Sequence, residues 1–131
     1  MLLCSDLQRA RQTAEIIGRA LGLVPRADAR LRELDVGRWA GLTRSEILTI
    51  DADTLLRFEA EEAEVRAGGA ESRAEIRRRV RTAFRAIASE HAGTQIVVVT
   101  HLGVVRALRP GTELANAESA WLRADEIPSP D

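Results

Sequence analysis

The chain has 131 residues, enough for one domain and too few for two. Its formal charge of -1 gives no basis for nucleic acid or an anionic membrane as a partner, although 30% of residues are charged and every basic one is arginine. Cys4 is the only cysteine, which excludes an internal disulfide, and no apolar run approaches the ~20 residues needed to span a bilayer, so a cytoplasmic protein is expected.

Met1 to Cys4 reads as a short buried strand; without a basic region or a long apolar stretch it is not read as a lipoprotein leader. Ser5 and Gln8 have the spacing of a capping box opening a helix. The apolar face of that helix would be Leu7, Ala10, Ala14, Ile17 and Leu21, with Gly22 as its stop. Leu23 to Pro25 is expected to be extended. From Leu31 to Leu42, Gly37, Trp39 and Gly41 punctuate a stretch with neither helical nor strand period, which predicts an ordered loop. Thr43 with Glu46 repeats the capping pattern and opens a second helix, broken near Asp51 to Asp53. The acidic run Glu59 to Glu64 reads as a solvated helix end or a mobile loop.

Gly68-Gly69 breaks the chain, and Ser72 with Glu75 caps a third helix. Its core face would be Ile76, Val80, Ala83, Phe84 and Ile87, with Arg77, Arg78, Arg81 and Arg85 turned mostly outward. Gln95 to Thr100 is β-branched and apolar enough for a central parallel strand covered on both faces. It ends at Thr100-His101-Leu102-Gly103, where Val104 to Leu108 begins another helix. Pro110-Gly111 makes a turn, Ala120 to Arg123 is a candidate last strand, and 125–131 is expected to be a flexible tail. This alternation predicts an α/β domain with a mainly parallel sheet. Ligands of such sheets bind beyond the carboxyl ends of strands, which directs attention to Ser5 to Arg9 and Thr100 to Gly103.

His101 would place an imidazole among free backbone N–H groups at that edge, or serve as a hydrogen-bonded strand end. His91, at a helix terminus, reads as structural. The two histidines lack the spacing and companion ligands of a metal site. Arg9, in the first turn after a strand, could reach over the same edge or lie on the surface. Glu33 is a loop carboxylate beside Arg32, and Trp39 reads as the packing anchor of that loop.

Four segments together resemble one family. They are Ser5-Asp6-Leu7-Gln8-Arg9-Ala10-Arg11-Gln12-Thr13-Ala14, then Leu31-Arg32-Glu33-Leu34-Asp35-Val36-Gly37-Arg38-Trp39-Ala40-Gly41, then Gly68-Gly69-Ala70-Glu71-Ser72, and lastly Val97 to Leu108 with Thr100-His101-Leu102-Gly103 at its centre. In this order they resemble the histidine phosphatase (phosphoglycerate mutase-like) superfamily. Ala70 is an insertion in the third motif, and Leu102 stands where the family usually has glycine.

The resemblance implies a three-layer α/β/α sandwich over 1–124, lacking the family's first strand and helix. It also implies hydrolysis or transfer of a small phosphomonoester through a phosphohistidine, with no cofactor or metal. Arg9 would clamp the phosphoryl group, with His101 and the Leu102 backbone on its oxygens, and Glu33 would act as proton donor. That role asks for a carboxyl group that keeps its proton near neutrality, which a neighbouring phosphate dianion favours. The family's nucleophile lies in an arginine-histidine-glycine sequence, and none occurs among these 131 residues. The chain by itself is therefore expected to be inactive, and its unpaired strands are expected to re-pair, to swap with a partner in a homodimer, or to leave the fold marginal. The alternatives are a non-catalytic relative that binds phosphate or a partner protein, and an α/β domain unrelated to phosphate.

Overall fold

The computed structural model describes residues 1–131. In chain order its elements are β1 (Leu2–Cys4), α1 (Gln8–Leu21), β2 (Pro25–Ala27), α2 (Arg44–Glu59), β3 (Arg66–Ala67), β4 (Glu71–Ser72), α3 (Arg73–Glu90), β5 (Val97–Val99) and α4 (Leu102–Leu108). Single 3-10 turns lie at Ala29–Leu31, Gly37–Trp39 and Ala124–Glu126. The main sheet has the order β2-β1-β5 and is wholly parallel, with Leu3 opposite both Arg26 and Val98.

Successive strand side chains face opposite ways, and this sets the layers. Leu2 lies against Gly18 of α1, where an added Cβ would come within 3.3 Å of the leucine Cδ2. Leu3 packs the other way, against Leu31 and Ile87 of α3. α1 therefore covers one face and α3 the other, giving the α/β/α sandwich. A second cluster joins α3 to α4 through Ile76, Val80, Val104, Ala107 and Leu108, and a third gathers Trp39, Ile47, Leu55 and Ala67.

The second and third capping boxes form as their sequences specify, on Thr43–Glu46 and Ser72–Glu75. The first does not. Helix α1 begins later, with Leu7 at its N-cap and no side-chain cap bond. The reason is that Ser5 still belongs to the sheet: its N–H donates to the Val99 carbonyl at 2.9 Å, while its hydroxyl accepts from Leu7 N–H at 3.3 Å. The buried stripe of α1 is Ala10, Ala14 and Gly18, and Leu21 is 54% exposed. Small residues let this helix approach the sheet closely, so the larger ones at its end fall outside the contact.

Strand β5 corrects another expectation. It lies at the edge of the sheet, Val97 is 38% exposed, and Val98 and Val99 are only half-buried. Gly68-Gly69 does more than break the chain. It turns the antiparallel β3–β4 hairpin, with Ala70 inside the turn donating its N–H to the Ala67 carbonyl at 2.9 Å. Gly68 has φ +53, and a Cβ there would sit 2.0 Å from the Val36 carbonyl oxygen, so the Trp39 loop rests directly on this turn.

Residues 120–123 form no strand. The segment 125–131 is tied down where composition suggested a flexible tail. Ile127 is buried in the α3–α4 core, Arg81 donates to the Ser129 carbonyl, and Arg85 donates to those of Ile127 and Pro128. Two arginines expected to face solvent thus supply the donors that hold it. No helix is long and apolar enough to cross a membrane.

Candidate active site

His101 follows β5 and is the N-cap residue of α4, with extended backbone angles. Thr100 beside it donates its hydroxyl to the Leu31 carbonyl at 2.8 Å, which fastens the end of β5 to the loop carrying Glu33. His101 is 8% exposed, and its Nε2 is buried without a hydrogen-bond partner. Buried polar atoms are nearly always paired, so this one calls for an explanation. Leu102 is the first residue of α4, and its N–H is among the first-turn donors that a helix leaves without an internal partner.

Glu33 is brought to the same place. Its carboxylate accepts from its neighbour Leu34 N–H at 2.8 Å and from Gly103 N–H of α4 at 3.2 Å. The second contact requires glycine, because a Cβ at 103 would lie 2.1 Å from Glu33 Oε1. Arg9, exposed in the first turn of α1, completes the group across the carboxyl end of β1. A long-range ion pair links the two loops: Arg32 donates to Asp6 at 2.7 and 2.5 Å and holds its carboxyl below the ordinary range.

The electrostatics of His101 record this convergence. Burial pushes the imidazole below its ordinary value of 6.5, and the Arg9 cation acts in the same direction. The Glu33 carboxylate opposes both, and the Arg79 guanidinium adds a further push downward. Arg9, Glu33 and His101 therefore share one rim of the sheet, and on balance their surroundings favour the neutral ring.

Arg79 was not singled out by the sequence. It lies at the flank of the α3 core stripe, three residues after Ile76 and four before Ala83, a position that Arg77 mirrors on the other flank. Trp39 is an anchor: it is buried, stacks edge-on against Phe58 at 5.9 Å and donates its indole N–H to Asp51 at 3.0 Å. His91 is the C-cap residue of α3, away from this group.

Polar side chains gathered beyond the carboxyl ends of parallel strands, around a helix start, occupy the place where α/β domains commonly receive ligands. The family model described as histidine phosphatase superfamily (branch 1) matches residues 1–123. The chain belongs to that superfamily. It is 40% identical over 106 residues to phosphoglycerate mutase-like protein 4 of Arabidopsis thaliana, covering 79% of this chain and 46% of the relative. It is 36% identical over 116 residues to glucosyl-3-phosphoglycerate phosphatase of Mycobacterium tuberculosis, covering 82% and 52%. The solved mycobacterial glucosyl-3-phosphoglycerate phosphatase in complex with inorganic phosphate superimposes with a TM-score of 0.71 at 34% identity, covering 82% of this chain and 56% of that one. The chain spans about half the length of the curated relatives it matches.

Proposed function

We propose that this chain supplies the phosphate clamp and the proton donor of a phosphomonoesterase acting on a small phosphorylated metabolite. The observation that carries the reading is the buried, unpartnered Nε2 of His101, on a ring that feels both the Arg9 cation and the Glu33 carboxylate. An arriving phosphate dianion would accept from His101 Nε2–H and from the Leu102 N–H, while Arg9 takes two of its oxygens in a fork. Binding also reverses the electrostatic balance at the ring, since an anion favours the imidazolium and offsets the charge that builds up during transfer. Glu33 would give its proton to the leaving oxygen as the P–O bond breaks. It would then take a proton from the water that attacks the phosphoryl group.

By the family resemblance, the intermediate phosphoryl group is carried on a histidine in an arginine-histidine-glycine sequence, which these 131 residues do not contain. That observation favours a second reading, a relative that binds phosphate or a partner without turnover. In-frame coding sequence upstream that encodes arginine-histidine-glycine supports the enzyme; an in-frame stop immediately upstream supports the binding protein. For the 131-residue chain both readings expect phosphate binding and no release of phosphate from an aryl phosphate.

The test is a phosphate titration followed by thermal unfolding and by the His101 ring resonances. Phosphate at about 100 times its dissociation constant should stabilise the fold by ~2.7 kcal/mol. Arg9→Ala and His101→Ala should each remove most of that gain. If millimolar phosphate and vanadate leave both the melting temperature and the His101 signals unchanged, the reading is wrong.

A further inference from the structure

The loop that carries Glu33 is fixed at both flanks by one ion pair on a neighbouring layer. Arg79 of α3 and Glu71 of β4 form a two-bond fork, Nε to Oε1 at 2.9 Å and Nη2 to Oε2 at 2.8 Å. Each partner then reaches the loop. The free Nη1 of Arg79 donates to the Arg30 carbonyl at 2.8 Å and to the Arg32 carbonyl at 3.0 Å, just before Glu33. Glu71 accepts from Asp35 N–H at 3.1 Å, just after it, and returns its own N–H to the Asp35 carbonyl at 3.1 Å. The pair is largely withdrawn from water, with side-chain exposures of 27% for Arg79 and 14% for Glu71.

We infer that Arg79 and Glu71 are positioning residues that present the Glu33 carboxylate to the Leu34 and Gly103 amides and thereby to the anion site. The inference rests on the proposed role of Glu33 as proton donor. Three features of the chemistry support it. Arg79 makes four hydrogen bonds and uses all three of its nitrogens, two on the carboxylate and one on the loop carbonyls, which a simple ion pair would not require. The contacts bracket Glu33 closely, ending at the residue before it and two residues after it. Finally, the other end of the Glu33 side chain is held in a gap that only Gly103 leaves open, so a small loop displacement would lose the Gly103 contact.

Amide spectra of the 131-residue chain test this without any need for turnover. Arg79→Gln should move the Leu34 and Gly103 N–H resonances and speed their hydrogen exchange, and Glu33→Gln should perturb the same two amides. Arg81→Gln is the control. It removes an arginine of the same helix that bonds the Ala107 and Ser129 carbonyls, and should lower the melting temperature while leaving those two amides in place. Should Arg79→Gln fail to fold, Arg79→Lys keeps the charge but cannot make the fork and the carbonyl contacts together. It should shift the same amides in the same direction. A folded Arg79 variant with Leu34 and Gly103 unmoved overturns the inference. If instead the amides move but phosphate does not perturb His101 in the unmodified chain, the positioning holds and the phosphate reading is the one that fails.

Discussion

At the level of single residues the decisive group is His101, because its protonation state is set by neighbours from three elements. Burial and the cations of Arg9 and Arg79 favour the neutral ring, and the Glu33 carboxylate works against them. A histidine whose folded pKa lies below its unfolded 6.5 binds fewer protons in the native state across that interval. Stability therefore rises with pH through that window and falls as pH drops below about 6.5, before the lowered carboxylates begin to titrate. Denaturant unfolding between pH 8 and 5.5 should show this loss, and His101→Gln should flatten it. Bound phosphate should reduce it, since the anion lets the imidazolium form. An unchanged slope in His101→Gln would assign the effect elsewhere. Arg9 and His101 could be singled out beforehand because each follows a strand end, and Glu33 because the segment Leu31 to Gly41 resembles a motif of the family. Glu71 and Arg79 could not, because their importance lies in backbone groups forty or more residues away from Arg79 and thirty-six from Glu71.

The elements show where local chemistry is sufficient to specify structure. Thr43–Glu46 and Ser72–Glu75 could be read directly because a capping box is complete within four residues. Ser5–Gln8 has the same letters but fails, since a sheet bond to Val99 keeps Ser5 extended, and that partner lies far along the chain. The break in α2 was also legible, and the structure gives its cause. Asp51 leaves the helical region, at φ -155 and ψ 47, and its carboxylate accepts from both Trp39 Nε1 and Arg38 Nη2. The contact to Trp39 should dominate energetically, because the indole is buried whereas Arg38 is exposed. Asp51→Ala leaves that N–H unpaired and should cost about 1–3 kcal/mol in denaturant unfolding. Asp51→Asn keeps an acceptor and should recover much of the loss. Equal destabilisation by the two substitutions would mean that the charge, and not the indole contact, holds the kink.

For the molecule as a whole, the two edges of the sheet are unequal. β2 starts with Pro25, which has no N–H to offer, and carries Arg26 at its centre, two features that discourage pairing with another strand. β5 has neither, being Val97-Val98-Val99 with one side unpaired and Val97 38% exposed. Its sequence reads as that of an inner strand, because β-branched apolar composition reports what a strand can pack against and not whether a neighbour is present. Such an edge is a template for another chain, so the 131-residue protein should associate through β5. Sedimentation velocity should show a species larger than the monomer as concentration rises, and the melting temperature should rise with it. Val97→Lys puts a charge on the exposed edge position and should restore the monomer with little loss of fold. A monomer whose cooperative melt is independent of concentration would show instead that the α1 and α3 layers satisfy this three-stranded sheet without any partner.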